Sequence, residues 1–67
     1  MTAGTVRWFS DEKGFGLITP DGGGADLFAH HTALRAGGER SLKQHQRVEF
    51  VVHAGTKGPR AGNITAL

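Results

Sequence analysis

The chain has 67 residues, no cysteine, eight Lys+Arg against six Asp+Glu, and a formal net charge of +2. That length predicts one domain, 1–67, burying only about 60% of the surface its unfolded form exposes. Without cysteine there are no disulfides or thiolate metal sites, so one apolar core must hold the fold.

Met1-Thr2-Ala3-Gly4 has neither a charged start nor an apolar run, so no secretory leader is expected, and no apolar stretch is long enough to span a bilayer. The expectation is a soluble, cytoplasmic protein with no membrane contact, and a monomer as the simplest state. Glycine is abundant, at 11 residues, and no segment shows a 3.6-residue apolar period. Short alternating runs between turn residues predict an all-β chain. A first strand is expected over Thr5–Ser10, then a turn at Asp11-Glu12-Lys13-Gly14 and a second strand over Phe15–Thr19. Pro20-Asp21-Gly22-Gly23-Gly24 is a strong breaker. A third strand follows over Asp26–His30. In the long connection after it, Thr32-Ala33-Leu34 suits one helical turn capped by Thr32, and Ala36-Gly37-Gly38-Glu39 reads as mobile. A fourth strand is expected over Arg47–His53 and a fifth over Arg60–Thr65, with the loop Ala54-Gly55-Thr56-Lys57-Gly58-Pro59 between them.

Side chains alternate between the faces of a strand. Parity yields an inward set: Val6, Ile18, Leu27, Ala29, Leu34, Val48, Phe50, Val52 and Ile64. It can fill a small barrel, and closing the sheet removes its edges. Phe15 and Phe28 are left outside, with Leu17 and His30 sharing their faces. Outward aromatics on neighbouring strands of so small a protein mark a binding surface. Trp8 is ambiguous: strict alternation puts it inward with Val6, whereas a bulge in the first strand would free it.

Lys13-Gly14-Phe15-Gly16-Leu17-Ile18 sets a cation beside an aromatic, and Leu27-Phe28-Ala29-His30 adds a ring and an imidazole on the adjacent strand. Interleaved cations and outward rings suit single-stranded nucleic acid, because phosphates meet Lys and Arg while bases stack on rings. Arg7, Lys13, Lys57 and Arg60 are the candidate phosphate contacts. Arg35, Arg40, Lys43 and Arg47 read as solubilising charges of the long connection. His30 and His31 make a poor metal chelate, since adjacent strand residues point to opposite faces. No metal or other cofactor is expected. No Ser/His/Asp set, carboxylate cluster or phosphate-cradling loop suggests an enzyme.

Gly4-Thr5-Val6-Arg7-Trp8-Phe9, the Lys13–Ile18 segment and Asp26-Leu27-Phe28-Ala29-His30 resemble the bacterial cold-shock proteins. Gly58-Pro59-Arg60-Ala61-Gly62-Asn63-Ile64 is similar to that family's last strand. The resemblance runs from Gly4 to Ile64. It implies an all-β, five-stranded antiparallel OB-fold barrel that binds single-stranded RNA and DNA and melts RNA secondary structure as an ATP-independent chaperone. It also implies a surface position for Trp8 and a base-edge contact for Asp26, which by itself could equally be a solvated carboxylate ending a turn. The chain departs from the family pattern at Leu17 and His31, where rings are usual, in the loop around Glu39, which lacks an aromatic, and in the added glycine at Gly22-Gly23-Gly24. At roughly 1–3 kcal/mol per stacked base, these losses predict weaker single-strand binding than a fully aromatic relative.

Overall fold

The computed structural model describes residues 2–34, 41–56 and 58–67. The expectations for Lys57, for Arg35 and Arg40, and for the loop around Glu39 lie outside the described residues. Five strands follow in order: β1 (Thr2–Ser10), β2 (Phe15–Pro20), β3 (Leu27–His30), β4 (Arg47–Gly55) and β5 (Gly58–Ala66). A 3-10 turn, His31–Ala33, follows β3 directly.

The strands close into a barrel in the order β1-β2-β3-β5-β4. Every seam is antiparallel except β3–β5, which is parallel and short, joining Phe28 to Arg60 and Ala29 to Ala61. Closure removes the unpaired edges that a five-stranded sheet would otherwise expose. β1 begins earlier than alternation suggested, because Thr2–Thr5 pairs with β4 from Thr2↔Phe50 to Thr5↔Arg47.

Val6, Ile18, Leu27, Ala29, Leu42, Val48, Phe50, Ala61 and Ile64 form the buried core, with Phe9, Ala33 and Leu34 packed against it. Phe50 is the largest fully buried side chain, and its burial contributes about 1.5–3 kcal/mol. Leu34 is only partly buried, beside its parallel bridge to Ile64. Val52, expected inside, is 48% exposed. The described β1–β4 pairing ends at Thr2↔Phe50, so Val52 lies past the barrel's last layer on that side.

Ala61 was not expected inside, and a bulge explains it. The β4–β5 register slips between Glu49↔Thr65 and Val51↔Gly62, leaving an extra residue on β5. There Asn63 adopts φ 48°, a left-handed conformation that asparagine tolerates better than most residues. The slip resets parity, so Ala61 and Ile64, an odd number of residues apart, both point inward.

Two polar expectations also change. The helical turn starts one residue early, and its cap is His30 rather than Thr32: the His30 ring accepts the Thr32 backbone N–H at 3.3 Å. Arg47 does not merely solubilise a loop. Its guanidinium donates to both Asp21 carboxylate oxygens, at 2.6 and 2.5 Å, and to Thr5 Oγ1 at 2.9 Å. That fork ties the start of β4 to β1 and to the turn after β2. Asp21 sits below its usual carboxylate range because it accepts these hydrogen bonds from Arg47.

Candidate nucleic-acid interface

The position of Trp8 follows from a bulge in β1. Val6 pairs with Ile18, but the next described partners are Trp8 and Leu17, which makes Arg7 an extra residue. Val6 is held from the other side by hydrogen bonds with Gln46 and His45, both 2.8 Å. Parity resets across Arg7, so Val6 is fully buried while Trp8 is 39% exposed. The bulge alternative for Trp8 is therefore the one realised.

Directly opposite residues share a face of the sheet. The register accordingly builds two outer rows: Trp8, Leu17, Phe28 and Arg60 in one, and Ser10, Phe15 and His30 in the other. The rings form a continuous ladder. Trp8 and Phe15 meet edge to face at 5.9 Å between centroids, Phe15 and Phe28 stack at 5.6 Å, and Phe28 and His30 stack at 6.3 Å. These spacings are those of favourable aromatic pairs, so the rings hold one another in place with outer surfaces open to solvent.

His31 corrects the sequence expectation. It was placed on the face opposite His30, yet the two ring centroids lie 4.4 Å apart. β3 ends at His30 and a 3-10 turn starts at His31, so strand alternation no longer applies. The His31 ring lies over Gly14, where an added Cβ would come within 2.7 Å of its Cδ2. Gly14 also adopts φ 75° and accepts the His31 N–H at 2.8 Å. A side chain at position 14 would thus be strained and would displace His31. Even with the imidazoles side by side, no group of three or more metal-ligating side chains occurs among the described residues.

The candidate cations sit around this ladder. Lys13 is exposed in the β1–β2 turn, with its backbone N–H on Ser10 Oγ at 3.2 Å. Arg60 is exposed and extends the first row past Phe28. Arg7 is partly engaged: its Nη1 donates to Asp26 Oδ2 at 2.7 Å. Asp26 Oδ1 accepts from Thr19 Oγ1 at 2.8 Å. The Thr19 hydroxyl first, and then Arg7, hold the Asp26 carboxyl below its usual range. Asp26 is therefore neither a freely solvated carboxylate nor an unoccupied acceptor; it is fixed between β1 and β2 with an Arg beside it.

Beyond the ladder, Phe28, His30, Thr32, Thr56, Gly58 and Arg60 line a hollow of about 480 Å³, within the size range of small-ligand pockets. It combines two rings, two hydroxyls and a guanidinium. Thr32 and Thr56 were not foreseen, since neither has a sequence signal beyond lying near the motif residues. His53, opposite Arg60, was also missed, although its outward parity was readable.

The family model of the 'Cold-shock' DNA-binding domain matches residues 2–67. The chain is 52% identical to a cold shock-like protein, CspA, of Stigmatella aurantiaca, over 100% of this chain and 98% of the relative. It is 54% identical to the cold shock protein ScoF of Streptomyces coelicolor, over 97% of each chain. It is 58% identical to the cold shock protein CapA of Pseudomonas fragi, over 88% of this chain and 92% of the relative.

Proposed function

The chain belongs to the cold-shock domain family, and we propose that it binds single-stranded RNA and DNA and acts as an ATP-independent chaperone that keeps them unpaired. The observation that carries this reading is the ladder Trp8–Phe15–Phe28–His30 on the outer face, with Trp8 and Phe28 exposed, Phe15 and His30 half-buried, and the exposed cations Lys13 in the β1–β2 turn, Arg7 on β1 and Arg60 on β5. Each base stacked on a ring gains about 1–3 kcal/mol with little regard to its identity. Asp26 is suited to accept from a base edge while it steers Arg7. Lys57 joins the phosphate contacts by its place in the sequence motif.

Melting needs no ATP on this mechanism. A protein that binds only the unpaired form draws the hairpin–strand equilibrium toward that form by mass action. A base lying on Phe15 or Phe28 is also withheld from pairing. Nothing in the stacking chemistry calls for a cofactor or a catalytic group, and one domain acting as a cytoplasmic monomer suffices.

Trp8 fluorescence, titrated with a short oligothymidine at several salt concentrations, tests the reading. Strong quenching is expected, with affinity falling as salt rises. Neutralising about three phosphates gives a slope near −2 in log K against log salt. Absence of quenching at low salt overturns the proposal, and quenching without a salt slope points to an apolar protein partner on the same face.

A further inference from the structure

Two side chains at the β4–β5 seam are held in a way that the ring ladder does not require. Arg60 and His53 stand directly opposite each other, and Gly62 and Gly55 lie two residues further along their respective strands. An added Cβ on Gly62 would run into the His53 ring, at both Cδ2 and Nε2. One on Gly55 would come within 2.7 Å of Arg60 Cδ and 3.0 Å of its Cγ. Each side chain therefore leans across onto the neighbouring strand and rests on bare glycine backbone. Diagonal contacts of this kind are within reach of long and aromatic side chains.

Both residues remain exposed on their outer sides. Neither forms an ion pair among the described residues. The pair continues the first outer row, which now reads Trp8, Leu17, Phe28, Arg60, His53 and crosses all five strands. His53 lies two strand spacings beyond Phe28, roughly 10 Å along the sheet. The ring meets the Gly62 backbone by its Cδ2–Nε2 edge, and a ring seated in this way before any ligand arrives lowers the ordering cost of binding.

We propose that Arg60 and His53 form a second landing place that carries a bound single strand off the ladder and onto β4. The Arg60 guanidinium meets a phosphate as the strand leaves Phe28, and the His53 ring stacks the next base. This rests on the single-strand reading above and adds a footprint to it.

The test compares wild type, His53→Ala and His53→Phe by Trp8 fluorescence, using oligothymidines of about four and about eight nucleotides, within the range one such barrel covers. His53→Ala is expected to weaken the longer ligand about five- to tenfold, as loss of one stacked base does, and to leave the shorter one unchanged. His53→Phe, which keeps a ring, is expected to hold the wild-type affinity for both. Gly62→Ala, which displaces the ring without removing it, should reproduce the length-dependent loss. Wild-type binding with His53→Ala indistinguishable at both lengths overturns the proposal alone, as does an equal loss at both lengths. Failure of wild type to bind either ligand overturns the single-strand reading beneath it as well.

Discussion

The two faces of β2 are built from alternate residues of one short strand and meet opposite surroundings. Ile18 and Gly16 are buried; Phe15 and Leu17 look out onto the ladder. Across the barrel the inner face is aliphatic apart from Phe50 and the half-buried Phe9, while most rings stand outside. Apolar material has thus been withheld from a core that a 67-residue chain can barely fill. On the proposed function, stability and binding draw on separate side chains, so each should break without the other.

The sharpest break is Phe50→Ala. Removing the largest fully buried side chain should cost about 3–5 kcal/mol, a large share of a small domain's total stability. Urea denaturation should show a collapse of the midpoint, while the molecules that remain folded still bind. A loss of affinity with stability intact would mean that the two faces are not separable. Phe28→Ala is the reciprocal experiment. Phe28 is 38% exposed and stacks on both Phe15 and His30. Single-strand affinity should fall by about 1–3 kcal/mol, while the denaturation midpoint falls by much less than in Phe50→Ala, since only the ring contacts of a part-exposed side chain are lost.

Leu17→Phe should sharpen the contrast from the other side. Leu17 lies between Trp8 and Phe28 in the cross-strand register, so a ring there fills the gap in the first outer row. Affinity should rise by at least about 1 kcal/mol in a titration at fixed salt, again with little change in stability. A smaller and purely structural gain is expected from His45→Gly. His45 holds φ 72° while its N–H bonds to Val6 O. The left-handed backbone costs a non-glycine residue about 1–2 kcal/mol, and glycine gives part of that back as chain entropy. A net stabilisation of about 0.5–1 kcal/mol should appear as a higher denaturation midpoint, and affinity should stay unchanged.

Alternation alone was enough to read most of the inner face and to put Phe15, Leu17, Phe28 and His30 outside, because a closed barrel enforces two-residue periodicity. It failed wherever the backbone departs from that period. The bulge at Arg7 turns Trp8 outward against strict alternation, and the bulge at Asn63 turns Ala61 inward. Val52 was misplaced because a strand can outrun its neighbour, and His31 because the strand stops at His30. Leu42 carried no strand pattern that could have flagged it. The glycine seats of Arg60 and His53 depend on a diagonal register that no single strand encodes.

The smallest expected effect concerns Asp26, where the two faces come closest to sharing a residue. Its carboxylate accepts from Thr19 and from Arg7, and its folded pKa lies below the ordinary 3.8 for the same reasons, in that order. A lowered carboxylate pKa stabilises the fold above the unfolded value, and that contribution disappears as pH falls through the lower folded value. Wild type and Asp26→Asn should therefore differ slightly in denaturation midpoint at neutral pH, and the gap should close only on acidification below 3.8. Binding should change in a separate way. Asparagine keeps an acceptor for Thr19 but releases Arg7 from its ion pair, so the dependence of log K on log salt should steepen by up to about 0.7, the increment for one added phosphate contact on a single strand. A steeper slope would make Asp26 a restraint on Arg7. An unchanged slope with weaker binding would instead favour the base-edge contact, and the carboxylate would then belong to the outer face in its own right.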